Sequence, residues 1–196
     1  MARPSTTRLL VAALALVWSV AGSATALGTP TSVDDIPAVL VPPAGSVLLF
    51  ELGARGVQIY TCEAKSDDAT AFVWTLQAPE AELLNARGEV VGTHFAGPTW
   101  MGHDGSAVVG AVLERADAPV PGAIPWLLLE ATEHAGSGTF ATITHVQRLE
   151  TAGGIAPTEG CDAAHAGAEV RVPYTATYAF YYPAALATPD TATPVS

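Results

Sequence analysis

The apolar side chains of this chain recur with period two, and that spacing selects pleated strands over helices. In residues 47–52, Leu48, Phe50 and Leu52 share a face, and in residues 57–62, Val57, Ile59 and Thr61 oppose Gln58, Tyr60 and Cys62. Phe72, Trp74 and Leu76 alternate with Ala71, Val73 and Thr75. Residues 140–149 set Phe140, Thr142, Thr144 and Val146 against Ala141, Ile143, His145, Gln147 and Leu149. Residues 174–182 put Tyr174, Ala176, Tyr178, Phe180 and Tyr182 on one side. Successive side chains of a strand point to opposite sheet faces, so each run reads as a half-buried strand. Leu127, Leu128 and Leu129 are continuously apolar, the pattern of a strand covered on both faces. Helix signals are confined to residues 79–84 and 162–166.

Turn chemistry separates the runs. Arg87-Gly88, Asp104-Gly105, Ala135-Gly136-Ser137-Gly138 and Gly153-Gly154 are hairpin or loop signals. Pro43, Pro79, Pro98, Pro125, Pro157 and Pro173 break strands or place them at an edge. Roughly eight to ten strands with so little helix predict an all-β fold, a single antiparallel β-sandwich or barrel with long loops and at most short helices.

The chain has 196 residues, of which 49% are hydrophobic and 14% charged, too apolar a balance for an intrinsically disordered protein and enough length for one domain with its own core. Residues 1–26 read as a secretory signal. Arg3 and Arg8 flank the start, residues 9–20 are apolar apart from Ser19, and Ala24-Thr25-Ala26 is a small-x-small cleavage site, with cleavage after Ala26. The competing reading, a retained anchor, is weakened by Ser19, Gly22, Ser23 and Thr25, and no other segment is long and apolar enough for a membrane span. Residues 27–35 read as a flexible leader, 36–184 as a single β domain and 185–196 as a disordered Thr/Pro/Ala tail. The expected location is secreted, periplasmic or at the cell envelope.

Export gives the two cysteines, Cys62 and Cys161, their meaning: in an oxidising compartment an even pair reads as a disulfide. The 8 basic and 19 acidic residues make an acidic protein with a formal charge of -11, and Lys65 is its sole lysine. Phosphate binding needs clustered Lys and Arg, so nucleic acid is not an expected partner. Oligomeric state is not readable from these features.

No residue pattern carries a recognised chemistry. Gly136-Ser137-Gly138-Thr139-Phe140-Ala141 mimics a dinucleotide fingerprint, but that motif must open a helix, and residues 139–146 are instead β-branched and alternating. There is no Gly-x-Ser-x-Gly elbow and no His-Glu-x-x-His helix. His103-Asp104 falls at a turn, and the remaining histidines, His94, His134, His145 and His165, lack metal-ligand spacing. Neither cofactor nor metal is therefore expected.

Two segments stand out. Residues 92–100 bracket His94 and two aromatics, Phe95 and Trp100, with glycine, and residues 160–167 set His165 four positions after Cys161. One reading is a pocket rimmed by His94, Trp100 and His165. The other is that Trp100 is core and both histidines bond loop carbonyls. Arg148 sits in a β-rich run, and if it points inward it needs a partner such as Glu51 or Glu130, as an internal salt bridge or as a ligand clamp.

Residues 56–62 (Gly-Val-Gln-Ile-Tyr-Thr-Cys), 92–100, 122–129 (Gly-Ala-Ile-Pro-Trp-Leu-Leu-Leu), Gln147-Arg148, Gly153-Gly154, Gly160-Cys161-Asp162 and Val172-Pro173-Tyr174 together resemble a family of secreted bacterial and fungal proteins, domain of unknown function 3455. The likeness covers roughly residues 41–182. Some fungal members carry a malate dehydrogenase label, for which this chain offers no nucleotide fold. The resemblance implies no catalytic residues.

Three functions compete. The first, favoured here, is a secreted β domain binding a small molecule, glycan or surface component, with an aromatic pocket near Trp100 or Trp126. The second is an exported hydrolase or isomerase using His94 or His165 as general base, hydrogen-bonded to a carboxylate in a cleft. The third is a structural, envelope-associated protein with a large exposed apolar patch and no deep pocket. The candidate ligand-binding residues are His94, Trp100, Trp126, Arg148 and His165.

Overall fold

A computed structural model describes residues 36–186. The expected signal with its cleavage at Ala26, the leader, and the tail from residue 187 lie outside the described residues. Eight strands run in chain order: β1 (Ser46–Ala64), β2 (Phe72–Leu84), β3 (Val90–Phe95), β4 (Thr99–Gly102), β5 (Ala107–Ala116), β6 (Trp126–Ala135), β7 (His145–Gly153) and β8 (Glu169–Pro183). Each pairs antiparallel with the next, and β8 returns to β1, so the sheet closes into an up-and-down barrel. Among the described residues helix is limited to single 3-10 turns: Ala38–Leu40, Ala163–His165 and Ala184–Leu186. The β2–β3, β4–β5 and β6–β7 connections gather at one end of the barrel, here the mouth. The other connections form the floor.

Alternation fills the interior. Leu52 and Ala54 of β1, Leu83 of β2, Trp100 of β4, Leu127 and Leu129 of β6, Val146 of β7 and Tyr174, Tyr178 and Phe180 of β8 form one buried cluster. A second, smaller cluster lies outside the barrel wall. There Leu40 covers Trp126, Leu128 and Leu149, and the Leu40 carbonyl accepts a 2.6 Å hydrogen bond from Gln147 Nε2. This strap explains the unbroken apolar run of β6: Leu127 and Leu129 face the interior, while Trp126 and Leu128 face the strap.

Several local expectations are overturned, each by tertiary contacts. Residues 47–52 and 57–62 are not two strands but parts of the 19-residue β1. Chain continuity through Gly56 depends on its lack of a side chain. A Cβ there would lie inside van der Waals reach of the Glu80 carbonyl and of Ala81 on β2. Gly56→Ala is therefore expected to destabilise the barrel by about 1–3 kcal/mol, the usual cost of overpacking, read as a lowered urea midpoint. An unchanged midpoint would show that β2 yields freely.

Residues 79–84, expected as helix, belong to β2. Ala81 and Leu83 are buried while Glu80 and Glu82 are exposed, a strand alternation enforced by pairing with β1. Strand β7 begins at His145, not Phe140. Phe140 and Ile143 are buried three residues apart because residues 136–144 fold across the mouth and plug it. Of the two readings of Gly153-Gly154, hairpin or loop, the loop holds: β7 ends at Gly153, and Gly154 bridges Ala123 on the neighbouring floor loop. Pro79 and Pro173 do lie inside strands, opposite Gln58 and Val57, beyond the paired ends of β3 and β7. Each has β1 as its sole partner there, an edge position that tolerates a missing N–H.

Beyond the closed barrel, β8, β1 and β2 run on as a three-stranded ribbon over the floor. Cys62 near its end is bridged to Cys161 of the β7–β8 loop, with the two Cα atoms 5.3 Å apart. The 162–166 signal becomes the 3-10 turn Ala163–His165. The Asp162 carboxylate caps it by accepting from the Ala164 and His165 N–H groups.

Candidate functional site

The alternation that builds the core also brings three of the singled-out residues into one interior layer. His94 is 2% exposed and stacks on Trp100, with ring centroids 4.7 Å apart and planes 14° off parallel. Tyr178 meets both rings, at 4.9 Å from His94 and 5.3 Å from Trp100. Arg148 lies opposite Leu127 and Tyr178 in the register. Both neighbours face inward, so Arg148 does too, and it is half-buried. Its partner is neither Glu51 nor Glu130. Nε and Nη2 donate to the Pro125 carbonyl at 3.1 and 2.9 Å.

The layer is polar in composition yet neutral apart from Arg148. Burial holds the His94 imidazole down to a pKa of about 3, and the Arg148 charge pushes the same way; the Thr99 carbonyl, 2.9 Å from Nδ1, opposes them only in part. Nδ1 therefore carries the proton and donates. Burial likewise raises the Tyr60, Tyr174 and Tyr178 phenols above their ordinary value. Tyr60 Oη donates to the Gly154 carbonyl at 2.6 Å and so ties the barrel to its floor loop.

The other two candidates lie elsewhere. Trp126 is under the Leu40 strap on the outer wall. His165 is exposed on the disulfide loop, and its Nδ1 is 2.7 Å from Asp162 Oδ1 rather than a loop carbonyl. That is a His–carboxylate pair, but the same oxygen caps a turn. His94 has no carboxylate partner among the described residues. Among the described residues no three His, Cys, Asp or Glu side chains converge into a metal-binding group.

A cleft that the sequence did not signal opens at the mouth. It holds about 420 Å³ between β1 and the plug, with Phe50, Leu52, Val91 and Phe140 as its apolar wall. Glu51, Asn85, His103 and Asp104 supply its polar rim. Asp104 is the rim's fixed point. Its two carboxylate oxygens accept from the Ser106 hydroxyl and N–H and from the Thr139 hydroxyl and N–H, at 2.7–2.9 Å. Those bonds, the Ser106 hydroxyl foremost, hold the carboxyl well below the usual carboxylate range. Ser106 Oγ in turn accepts from the Phe140 N–H, so the charge at the rim and the apolar plug are one bonded unit. His103-Asp104 was readable as a turn, but its bond to Thr139, 35 positions away, was not.

A second groove, of about 380 Å³, runs over Arg55, Glu80, Glu82 and Arg171. Its charges are already paired, Arg55 with Glu82 at 3.0 Å and Arg171 with Glu80 at 2.7 Å, both exposed. Exposed pairs of this kind are worth little and leave no directed group for a ligand.

Fold and site together define a closed eight-stranded antiparallel barrel with a plugged, apolar mouth and an interior cation. The chain belongs to the family described as a protein of unknown function, DUF3455, whose model matches residues 43–182, the whole barrel but for the end of β8. No curated protein and no solved structure matches it.

Proposed function

We propose that this protein is an exported binding domain that takes up a small apolar or amphipathic molecule at the barrel mouth without transforming it. The observation carrying this reading is the cleft itself: a concave apolar wall of Phe50, Leu52, Val91 and Phe140 beside a few convergent polar groups, the arrangement of small-molecule sites. Glu51 and Asp104 make the rim acidic, so the ligand is neutral or carries a cationic or hydrogen-bond-donating end. Apolar walls favour such a molecule over a glycan. The Cys62–Cys161 bridge and the signal-like residues 1–26 support export, and among the described residues no helix is long and apolar enough to cross a membrane.

N-phenyl-1-naphthylamine, a neutral dye that brightens in apolar sites, tests the reading. It should bind saturably, at one site per chain. His103→Trp, which adds bulk at an exposed position on the rim, should weaken it at least tenfold while leaving the circular dichroism unchanged. Linear, non-saturating fluorescence, or equal binding by the variant, rejects the mouth as the site.

A further inference from the structure

We infer that the barrel interior on the floor side, around Arg148, is a second binding site, specific for a small organic carboxylate. Among the described residues no ion pair reaches this inward guanidinium, whose Nε and Nη2 meet the Pro125 carbonyl dipole. Other basic groups are met by acids: Arg55 pairs with Glu82, Arg87 with Glu89, His165 with Asp162, and Arg171 with Glu80 and Glu169. A charge withdrawn from water is costly unless an opposite charge meets it, and a carbonyl dipole meets it only in part. Nothing else in the layer supplies that charge. His94, Tyr60, Tyr174 and Tyr178 are all held neutral at ordinary pH, and all lie near enough to feel the Arg148 charge.

A second observation points the same way. Gln58 is 2% exposed, and its Nε2 has no hydrogen-bond partner. Its side chain stands with that of Tyr174 around Gly154, beside the carbonyl that Tyr60 binds. A buried amide N–H without an acceptor is rare and costs about 1–3 kcal/mol. Cation, orphan amide donor and the Tyr174–Tyr178 hydroxyl pair therefore share one side of the barrel, with donors left over for an anion, while the Tyr60 proton stays on the Gly154 carbonyl.

The class of anion follows from the count of charges and from shape. One guanidinium balances a monoanion, whereas a phosphate dianion would leave a buried negative charge. Arginine's planar fork fits a carboxylate better than a spherical halide, which sets the class of anion. Arg148 is half-buried, so part of its side chain meets solvent.

Benzoate and acetate, titrated by calorimetry and thermal shift against sodium chloride at matched ionic strength, test the inference. Benzoate should bind saturably and raise the melting midpoint beyond the chloride control. Arg148→Gln should weaken it at least tenfold, and Arg148→Lys, which keeps the charge but loses the fork, by less. If Arg148→Gln fails to fold, Tyr178→Phe takes its place and should weaken benzoate severalfold. His103→Trp at the mouth should leave benzoate untouched. Equal responses to benzoate and chloride, benzoate binding unchanged in every floor variant, or its loss in His103→Trp would each overturn the inference. None of these outcomes bears on dye binding at the mouth, so the two sites stand or fall separately.

Discussion

Opening the Cys62–Cys161 bridge is expected to remove about 4–5 kcal/mol of stability, the chain-entropy value for a loop near one hundred residues. The two cysteines are 99 positions apart, so the bridge restricts more than half of the described chain in its unfolded state. Whole domains are stable by only about 5–15 kcal/mol, so the loss is a large fraction of the total. The bridge also holds what lies around it. Cys62 donates its N–H to the Ala168 carbonyl and accepts from the Gly167 N–H, and Trp74 Nε1 donates to the Glu159 carbonyl at 3.0 Å. These bonds pin residues 155–168 under β1 and β2, and the loop they hold is the wall of the floor.

Guanidinium denaturation with and without reductant, and of the Cys62→Ala/Cys161→Ala double variant, measures the effect. The double variant avoids leaving one reactive thiol. Both reduced protein and variant should show a midpoint displaced far to lower denaturant, with the slope rising as the unfolded chain expands. Coincident curves before and after reduction would mean that the strand ladder alone closes the barrel.

Acid should destabilise the protein well above the range where carboxylates titrate, and His94 is the cause. The group has a pKa near 6.5 in an unfolded chain and about 3 in the folded one, where burial beside Trp100 and Tyr178 penalises the cation. Between those values the unfolded state binds a proton that the folded state refuses, so stability rises with pH across the window. In the other direction, the folding equilibrium should weaken by up to roughly tenfold per pH unit from about pH 6 towards pH 3, and should be flat above pH 7. His145, also depressed by burial but only partly covered, adds a smaller contribution of the same sign. Asp104, Asp68, Asp162 and Glu89, all held below their ordinary values, lose their contributions only as pH falls below about 4. The interval from about pH 6.5 to about 4.5 therefore belongs to the histidines.

Urea midpoints of the wild type and of His94→Phe at pH values stepped from about 7 down to about 4.5 resolve this. Phenylalanine keeps a ring against Trp100 and removes the titration. The wild-type midpoint should fall steadily with pH and the variant's should stay nearly level. Parallel slopes in the two proteins would assign the acid sensitivity to other groups.

The placement of individual residues shows how far the chain could be read unaided. The aromatic face from Tyr174 to Tyr182 was legible because period-two spacing is a local property of the backbone, and its Tyr174, Tyr178 and Phe180 line the barrel. The covering of Leu127–Leu129 on both faces was legible too, but its agent was not. The outer half is buried by Leu40, nearly ninety positions earlier, a contact that no periodicity contains. Residues 140–144 failed as a strand for the same reason: β-branched residues favour extended backbone, but the Asp104 carboxylate and Ser106 hydroxyl hold Thr139 and Phe140 across the mouth instead. Of the five candidate residues, His94, Trp100 and Arg148 share an interior layer, while Trp126 and His165 point to other surfaces. The mouth cleft had no signal, because Phe50, Val91 and Phe140 come from three distant segments, each ordinary by itself.

What the amino-acid order determined alone is whatever depends on near neighbours: strands from alternation, and turns from glycine and proline. Closure into a barrel, the choice of which polar groups enter it, and the seating of Arg148 on the Pro125 carbonyl were decided by tertiary structure. Each depends on which distant strands pair and in what register, and a shift of one residue would turn Arg148, His94 and Tyr178 out to water.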